Sequence, residues 1–165
     1  MPRLERLGHV GIHVNDIEKM RDFYINIVGL HLTEDASAER GMVFLTSNPD
    51  WEHHELFLVK GRNVPVGSIL VHQISFRVPE VVDLQEYLAR FKREDTPIDQ
   101  VVTHGFSLSI YFFDPEGNRV EVYWDTKIRD HKAFARTIDL EQSGEAILAA
   151  TNKIVEEIPA LVAAP

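Results

Sequence analysis

The chain has no cysteine in 165 residues. That excludes a disulfide framework, thiolate-ligated zinc and iron–sulfur clusters, and it is compatible with a reducing compartment. It has no Lys/Arg-rich run, and 17 basic residues against 26 acidic ones leave a formal charge of −9. This argues against nucleic acid as a partner, because clustered cations dominate that affinity. No apolar run approaches the roughly 18 residues of a membrane span. The start, Met1-Pro2-Arg3-Leu4-Glu5-Arg6, lacks the apolar core of a signal peptide. These absences make a soluble cytoplasmic protein with no membrane partner the expectation. The length suits one domain or two small fused modules. A chain of this size buries roughly 68–70% of its unfolded surface, so it needs no staples.

What is present is pattern. Residues 104–124 read as a β-hairpin. Asp114-Pro115-Glu116-Gly117 is a turn in which Pro pre-sets φ and Gly supplies φ > 0. On one side of it, Leu108, Ile110 and Phe112 alternate with Ser107, Ser109 and Tyr111. On the other, Val120, Val122 and Trp124 alternate with Arg119, Glu121 and Tyr123. One face of the hairpin is apolar and the other carries a phenol and a carboxylate.

Before the hairpin, residues 5–14 form a strand and Asn15 caps a helix, with Glu18 completing a capping box. Ile17, Met20, Phe23, Tyr24, Ile27 and Val28 recur at helical spacing, and Gly29 stops the helix. Strands at 30–34, 42–46 and 54–59 follow, then a polar connection over 60–67. The pattern then restarts with a strand over 69–78, a helix over 79–95, and strands over 98–103, 107–113 and 119–124. Strand–helix–strand–strand–strand thus occurs twice, at an offset of about 63 residues. The expected fold is α+β: two paired βαβββ modules, 5–60 and 69–125, form one domain over 1–126 with a curved mixed sheet around a metal cavity. Residues 127–165 lie outside the repeat as a helical C-terminal extension, with a short helix over 130–136 and a longer one over 141–157. That tail is an arm or a lid, packing on its own body or on a partner.

The repeat pairs His9 with His72, and Glu121 closes the second module. Two imidazoles and one carboxylate on one side of a divalent metal leave adjacent positions open, as non-haem Fe(II) oxygen chemistry requires. The bland alternatives are a hydrogen-bonded strand histidine and a solvated strand glutamate. His13, on the same strand face as His9, competes as a ligand, but its repeat partner is Phe76, which favours His9. His72 shares strand parity with the apolar Ile74 and Phe76, so alternation alone does not turn it into a cavity. His31 and His131 have no partner in the pattern and read as surface residues.

Gly8-His9-Val10-Gly11-Ile12, Asp22-Phe23-Tyr24 before Val28-Gly29-Leu30, and Asp114 through Glu121 resemble the vicinal oxygen chelate superfamily, the glyoxalase, bleomycin-resistance and dioxygenase proteins. His53-His54, His104, Ile110-Tyr111, the acidic-Pro-x-Gly turn and Glu121 narrow the resemblance to its type I extradiol ring-cleavage dioxygenases. It covers residues 5–125. It implies His9, His72 and Glu121 as ligands of Fe(II), with Mn(II) or another divalent ion as the alternative. It implies His54 as acid/base, and His104 and Tyr111 at the substrate. The partners implied are a small aromatic diol and O₂, with a homo-oligomer as the expected assembly. His53 and His54 point to opposite strand faces, so one of them faces the cavity. Glu55 pairs with Glu121 across the repeat; as a fourth ligand it would favour a glyoxalase- or epimerase-like lyase or isomerase. The non-enzymatic alternative is a drug-binding module like the bleomycin-resistance proteins.

Overall fold

A computed structural model of the protein describes residues 2–69, 71–129 and 131–159. The chain divides into two compact units. One holds the residues up to Ser68 together with Pro115–Gly117; the other holds Ile69–Asp114 and the residues from Asn118 onward.

The first unit is a four-stranded mixed sheet with a helix. Strand β1 (Val10–Val14) is followed by helix α1 (Ile17–Phe23), a π-helical turn (Tyr24–Val28), β2 (His31–Ala36), the single-turn helix α2 (Ser37–Arg40), β3 (Met42–Thr46) and β4 (Leu56–Lys60). The sheet order is β1-β4-β3-β2; β1 and β4 run parallel and the other pairs antiparallel. Ile12 and Val14 of β1 and Leu56 and Leu58 of β4 are buried, and Met20, Tyr24 and Val28 complete this core. The π turn ends at Gly29, whose φ of 86° is the left-handed conformation that glycine adopts without cost. The cap of α1 is not Asn15 but Asp16, whose side chain accepts from Lys19 N at 3.0 Å. Asn15 is otherwise engaged: its backbone N–H and that of Asp16 donate to Glu116 at 2.6 and 2.9 Å. Arg62 reaches the same buried carboxylate at 3.4 Å. Glu116, the third residue of the Asp-Pro-Glu-Gly turn, is therefore a capping group for the N-terminus of α1.

The second unit repeats the plan. It contains β5 (Ile74–Val78), α3 (Val81–Arg93), β6 (Ile98–Thr103), β7 (Ser107–Phe113) and β8 (Arg119–Asp125), then β9 (Arg136–Thr137) and α4 (Gly144–Glu156). The sheet order is β5-β8-β7-β6-β9, with β5 and β8 parallel. A capping box of Glu80 and Asp83 opens α3. Leu84, Leu88 and Phe91 of α3 are buried, and the Phe91 ring lies 4.3 Å from that of Phe112 on β7.

The tail packs on its own unit. Residues 132–135 form no helix, and β9 pairs antiparallel with the edge of β6. Asp130, where the short helix was to begin, lies outside the described residues. Ile138, Leu140 and Ile147 are buried. Gln85 on α3 donates to the carbonyls of Leu140 and Gln142 at 2.7 and 2.8 Å. Ser143 caps α4 through Ala146 N.

Candidate active site

Alternation in β7 and β8 separates a core face from a site face. Leu108, Ile110, Phe112, Val120 and Val122 are fully buried on the first. On the second, Ser107 stands opposite Asp125, Ser109 opposite Tyr123, and Tyr111 opposite Glu121. Strand β5 adds Ser75, directly across from Glu121. With Gln73, His104 and Arg129, all of these side chains but Ser109 line a cleft of about 460 Å³, within the range of small-molecule sites.

A chain of hydrogen bonds runs along this cleft. The Glu121 side chain accepts from Gln73 Nε2 at 2.8 Å and from Ser75 Oγ, and the residue is only 6% exposed. Gln73 Oε1 accepts from Arg119 at 3.2 Å, Arg119 Nε donates to Asp99 at 2.8 Å, and the guanidinium lies 3.7 Å from the centre of the Tyr111 ring. The Tyr111 hydroxyl and His104 Nε2 are 2.9 Å apart, and His104 Nδ1 is 2.6 Å from the carbonyl oxygen of Phe134. A carbonyl only accepts, so Nδ1 carries the proton of the neutral ring. Nε2 is then the acceptor, and Tyr111 donates to it. Burial, and after it the neighbouring Glu121 carboxylate, push the Tyr111 phenol up to about 12. It is a neutral donor across the physiological range.

In the first unit the histidines gather on aromatic carbon. The His54 ring is 4.5 Å from His9, 5.1 Å from Phe44 and 5.5 Å from Phe57. His53 also packs on Phe44, at 5.5 Å, and its Nδ1 is 3.0 Å from His54 Nδ1. The two histidines were expected on opposite faces. Strand β4 starts only at Leu56, so strand alternation does not reach them, and both lie on Phe44. Burial, then the neighbouring His9 and His53, lower the proton affinity of His54, which favours a neutral imidazole.

Glu55 does not mirror Glu121. Val10 to Ile74 and Leu56 to Val120 are both 64 residues, so the pair Gly11–Phe57 corresponds to Ser75–Glu121. Phe57 holds the place of the carboxylate, its ring lying where a side chain at position 11 would be. Glu55 instead accepts from the Ser47 backbone at 2.7 Å, from Ser47 Oγ at 2.5 Å and from Thr46 at 3.2 Å. Burial raises its pKa, but those hydrogen bonds outweigh the burial and hold it below the ordinary carboxylate value.

Of the residues that the sequence singled out, Glu121, Tyr111 and His104 share one cleft, and His9 and His54 share one aromatic cluster. His72 lies two residues before β5, exposed, and is not among the cleft-lining residues. His13 and His31 are exposed. His131 is not a surface residue: it is 5% exposed, stacked 5.8 Å from Phe106, and its ring occupies the space beside Gly105. Sequence reasoning missed Gln73, Ser75 and Arg119. The signal for Gln73 was its place just before the apolar alternation Ile74, Phe76, Val78, as His9 precedes Val10, Ile12, Val14. Among the described residues no three His, Asp or Glu side chains are gathered as a metal site.

A family profile described as Glyoxalase/Bleomycin resistance protein/Dioxygenase superfamily matches residues 6–122. A biphenyl-2,3-diol 1,2-dioxygenase from Rhodococcus globerulus is 30% identical over 125 residues, covering 73% of this chain and 63% of the relative. A manganese-dependent 2,3-dihydroxybiphenyl 1,2-dioxygenase from Geobacillus genomosp. 3 is 27% identical over 127 residues, covering 75% of this chain and 38% of the relative. The chain therefore spans less than two thirds of the length of either protein. Among solved structures, the antibiotic binding protein TnmS3 from Streptomyces sp. CB03234 superposes with a TM-score of 0.60 at 22% identity, covering 76% of this chain and all of that one. At that identity it supports the fold alone.

Proposed function

Starting from a chain that belongs to the Glyoxalase/Bleomycin resistance protein/Dioxygenase superfamily, we propose that this protein is a ring-cleaving dioxygenase acting on a catechol-type diol. The observation that carries the reading is one cleft in which a hydrogen-bonded line from Phe134 O through His104 to Tyr111 stands beside the buried Glu121 carboxylate, directly across the strand pair from Tyr111. The net reaction breaks one ring carbon–carbon bond beside a hydroxyl and places both atoms of O₂ on the carbons released, giving a ring-opened hydroxy-oxo acid.

A divalent cation fits this cleft by the chemistry of its donors. The Glu121 carboxylate is buried, has no cationic hydrogen-bond donor, and stands beside an amide and a hydroxyl, so the group offers hard oxygens. Of the ligands that the resemblance implies, Glu121 lines this cleft and would hold the ion, whereas His72 is exposed and lies outside the lining. A cation bound there supplies the positive charge that lowers the proton affinity of the diol oxygens. Fe(II) and Mn(II) are the two candidates, and one relative is named as manganese-dependent.

The rest belongs to this chain. Tyr111, a neutral phenol whose proton is donated to His104, presents its oxygen as an acceptor to a substrate hydroxyl, and His104 fixes the rotation of that group. His54, with its lowered proton affinity, is the proposed acid/base, accepting a phenolic proton at neutral pH and returning it later. The partners are the diol and O₂, and the expected assembly is a homo-oligomer, read by sedimentation.

The test is anaerobic reconstitution with Fe(II) or with Mn(II), addition of 2,3-dihydroxybiphenyl or catechol, and admission of O₂. A yellow ring-fission product with matched oxygen uptake is expected. No turnover across a panel of diols with either metal would sink the proposal. One observation favours a second reading, a binding protein without turnover: the Glu121 carboxylate is already satisfied by neutral donors from its own chain. That reading is expected to show saturable binding of an aromatic ligand with no oxygen uptake.

A further inference from the structure

The two parallel ladders fix which residues correspond. In the first unit Val10 faces Leu56 and Gly11 faces Phe57; in the second Ile74 faces Val120 and Ser75 faces Glu121. Both pairs shift by 64 residues. The residue before Val10 is His9, and the residue before Ile74 is Gln73. His72, which a shift of 63 would match to His9, corresponds to Gly8 instead. Side-chain direction follows the same parity. Gln73 points with Ser75 and Glu121, donates to that carboxylate at 2.8 Å and to Ser75 Oγ at 3.0 Å, and lines the cleft. His72 has the parity of Ile74, whose side chain is buried in the core, and its own side chain is exposed.

We propose that Gln73, not His72, is the residue that joins Glu121 in holding the divalent cation, so that an amide oxygen stands where the second imidazole was expected. The inference rests on the cation of the proposed function, and it has chemical consequences of its own. Rotation of the terminal amide exchanges Nε2 for Oε1 beside Glu121, and a neutral oxygen replaces a neutral nitrogen. Oxygen donors favour harder ions such as Mn(II), whereas imidazole favours zinc, copper and nickel. An amide does not titrate. One imidazole's worth of proton competition, centred near an ordinary pKa of about 6.5, is therefore missing from the pH dependence of metal uptake. Arg119 accompanies the exchange. It donates to Gln73 Oε1 at 3.2 Å in the structure, and it must release that oxygen when the amide turns.

The experiment is Mn(II) titration of the whole metal-stripped protein, read by the electron paramagnetic resonance of the free ion, with Zn(II) competition. It uses His72→Ala, Gln73→Ala, Gln73→Glu and Gln73→His, each checked for folding by circular dichroism. His72→Ala is expected to bind Mn(II) within about twofold of the parent. Gln73→Ala is expected to lose on the order of tenfold or more. Gln73→Glu keeps an oxygen donor and restores binding, which separates a lost ligand from a damaged fold. Gln73→His is expected to shift preference toward Zn(II) and to steepen the fall of affinity below pH 7. Loss of Mn(II) in His72→Ala with retention in Gln73→Ala overturns the inference. A parent protein that takes up no divalent ion overturns both the inference and the cation of the proposed function. Uptake that depends on Gln73, without turnover of any diol, sustains the inference and removes only the dioxygenase reading.

Discussion

Tyr111 and His54 are both shifted from their ordinary proton affinities, in opposite senses and for different tasks. Tyr111 is held as a phenol by burial and by Glu121. Replacing it with Phe removes the donor to His104 and leaves Nε2 of that ring without its partner. Tyr111→Phe is expected to lower diol turnover on the order of a hundredfold and to cost about 1 kcal/mol of stability. Oxygen uptake and urea unfolding measure the two effects, and unchanged turnover would place the hydroxyl outside the reaction. His54 lies below the ordinary value of 6.5. The unfolded chain then takes up the proton first, so this contribution is fully present above about 6.5 and is lost as pH falls from there toward the folded value. Urea unfolding between pH 5 and 8 is expected to show that slope, and His54→Ala to flatten it. The same variant is expected to keep its metal and lose turnover; loss of metal instead would make His54 a ligand.

At the scale of the element, the turn between β7 and β8 does two jobs. Gly117 has a φ of 77°, as the Pro-x-Gly pattern requires, and Asp114 accepts from Asn118 N at 2.9 Å, which closes the turn. Glu116 belongs to the first unit. There it collects the backbone N–H groups of Asn15 and Asp16 and the guanidinium of Arg62, at 5% side-chain exposure. Truncation leaves a buried cation and two helix-end donors without this acceptor. Glu116→Ala is expected to cost about 3–5 kcal/mol, read as a lower urea midpoint, with Glu116→Gln recovering part of it. A surface-like change below about 0.5 kcal/mol would contradict this role. The turn was legible in the sequence because Pro and Gly act locally. The cap was not, because Asn15 and Asp16 lie about a hundred residues away from Glu116 and nothing local marks the partner.

At the scale of the whole chain, the C-terminal tail has a defined place. Strand β9 extends the second sheet beyond β6, the Phe134 carbonyl holds His104 Nδ1, and Ile138, Leu140 and Ile147 are buried. Each buried aliphatic contributes about 1.5–3 kcal/mol. A chain ending at Thr137 is expected to melt on the order of 10 °C lower by calorimetry. An unchanged melting temperature would mean that the tail packs without stabilising. The edge position of β6 explains why the tail docks there: among the described residues of this unit its outer backbone groups have no other strand to pair with.

The sequence by itself determined what rests on short-range rules. Alternation and turn chemistry delimited β3, β6 and β7, and the spacing of apolar residues marked the helices. The signature residues His104, Tyr111 and Glu121 pointed to one site face. It also determined the repeat, but only to within a residue. A strand's side chains invert with each step, so an offset of 63 or 64 decides which of His72 and Gln73 turns toward the carboxylate. Interstrand hydrogen bonding is what fixes that step. The tertiary structure alone chose Gln73 over His72 as the neighbour of Glu121, placed Phe57 where a second carboxylate was suspected, and brought His131 inside. Each of these depends on a ladder or a packing contact between segments far apart in the chain, and a linear pattern carries no record of register.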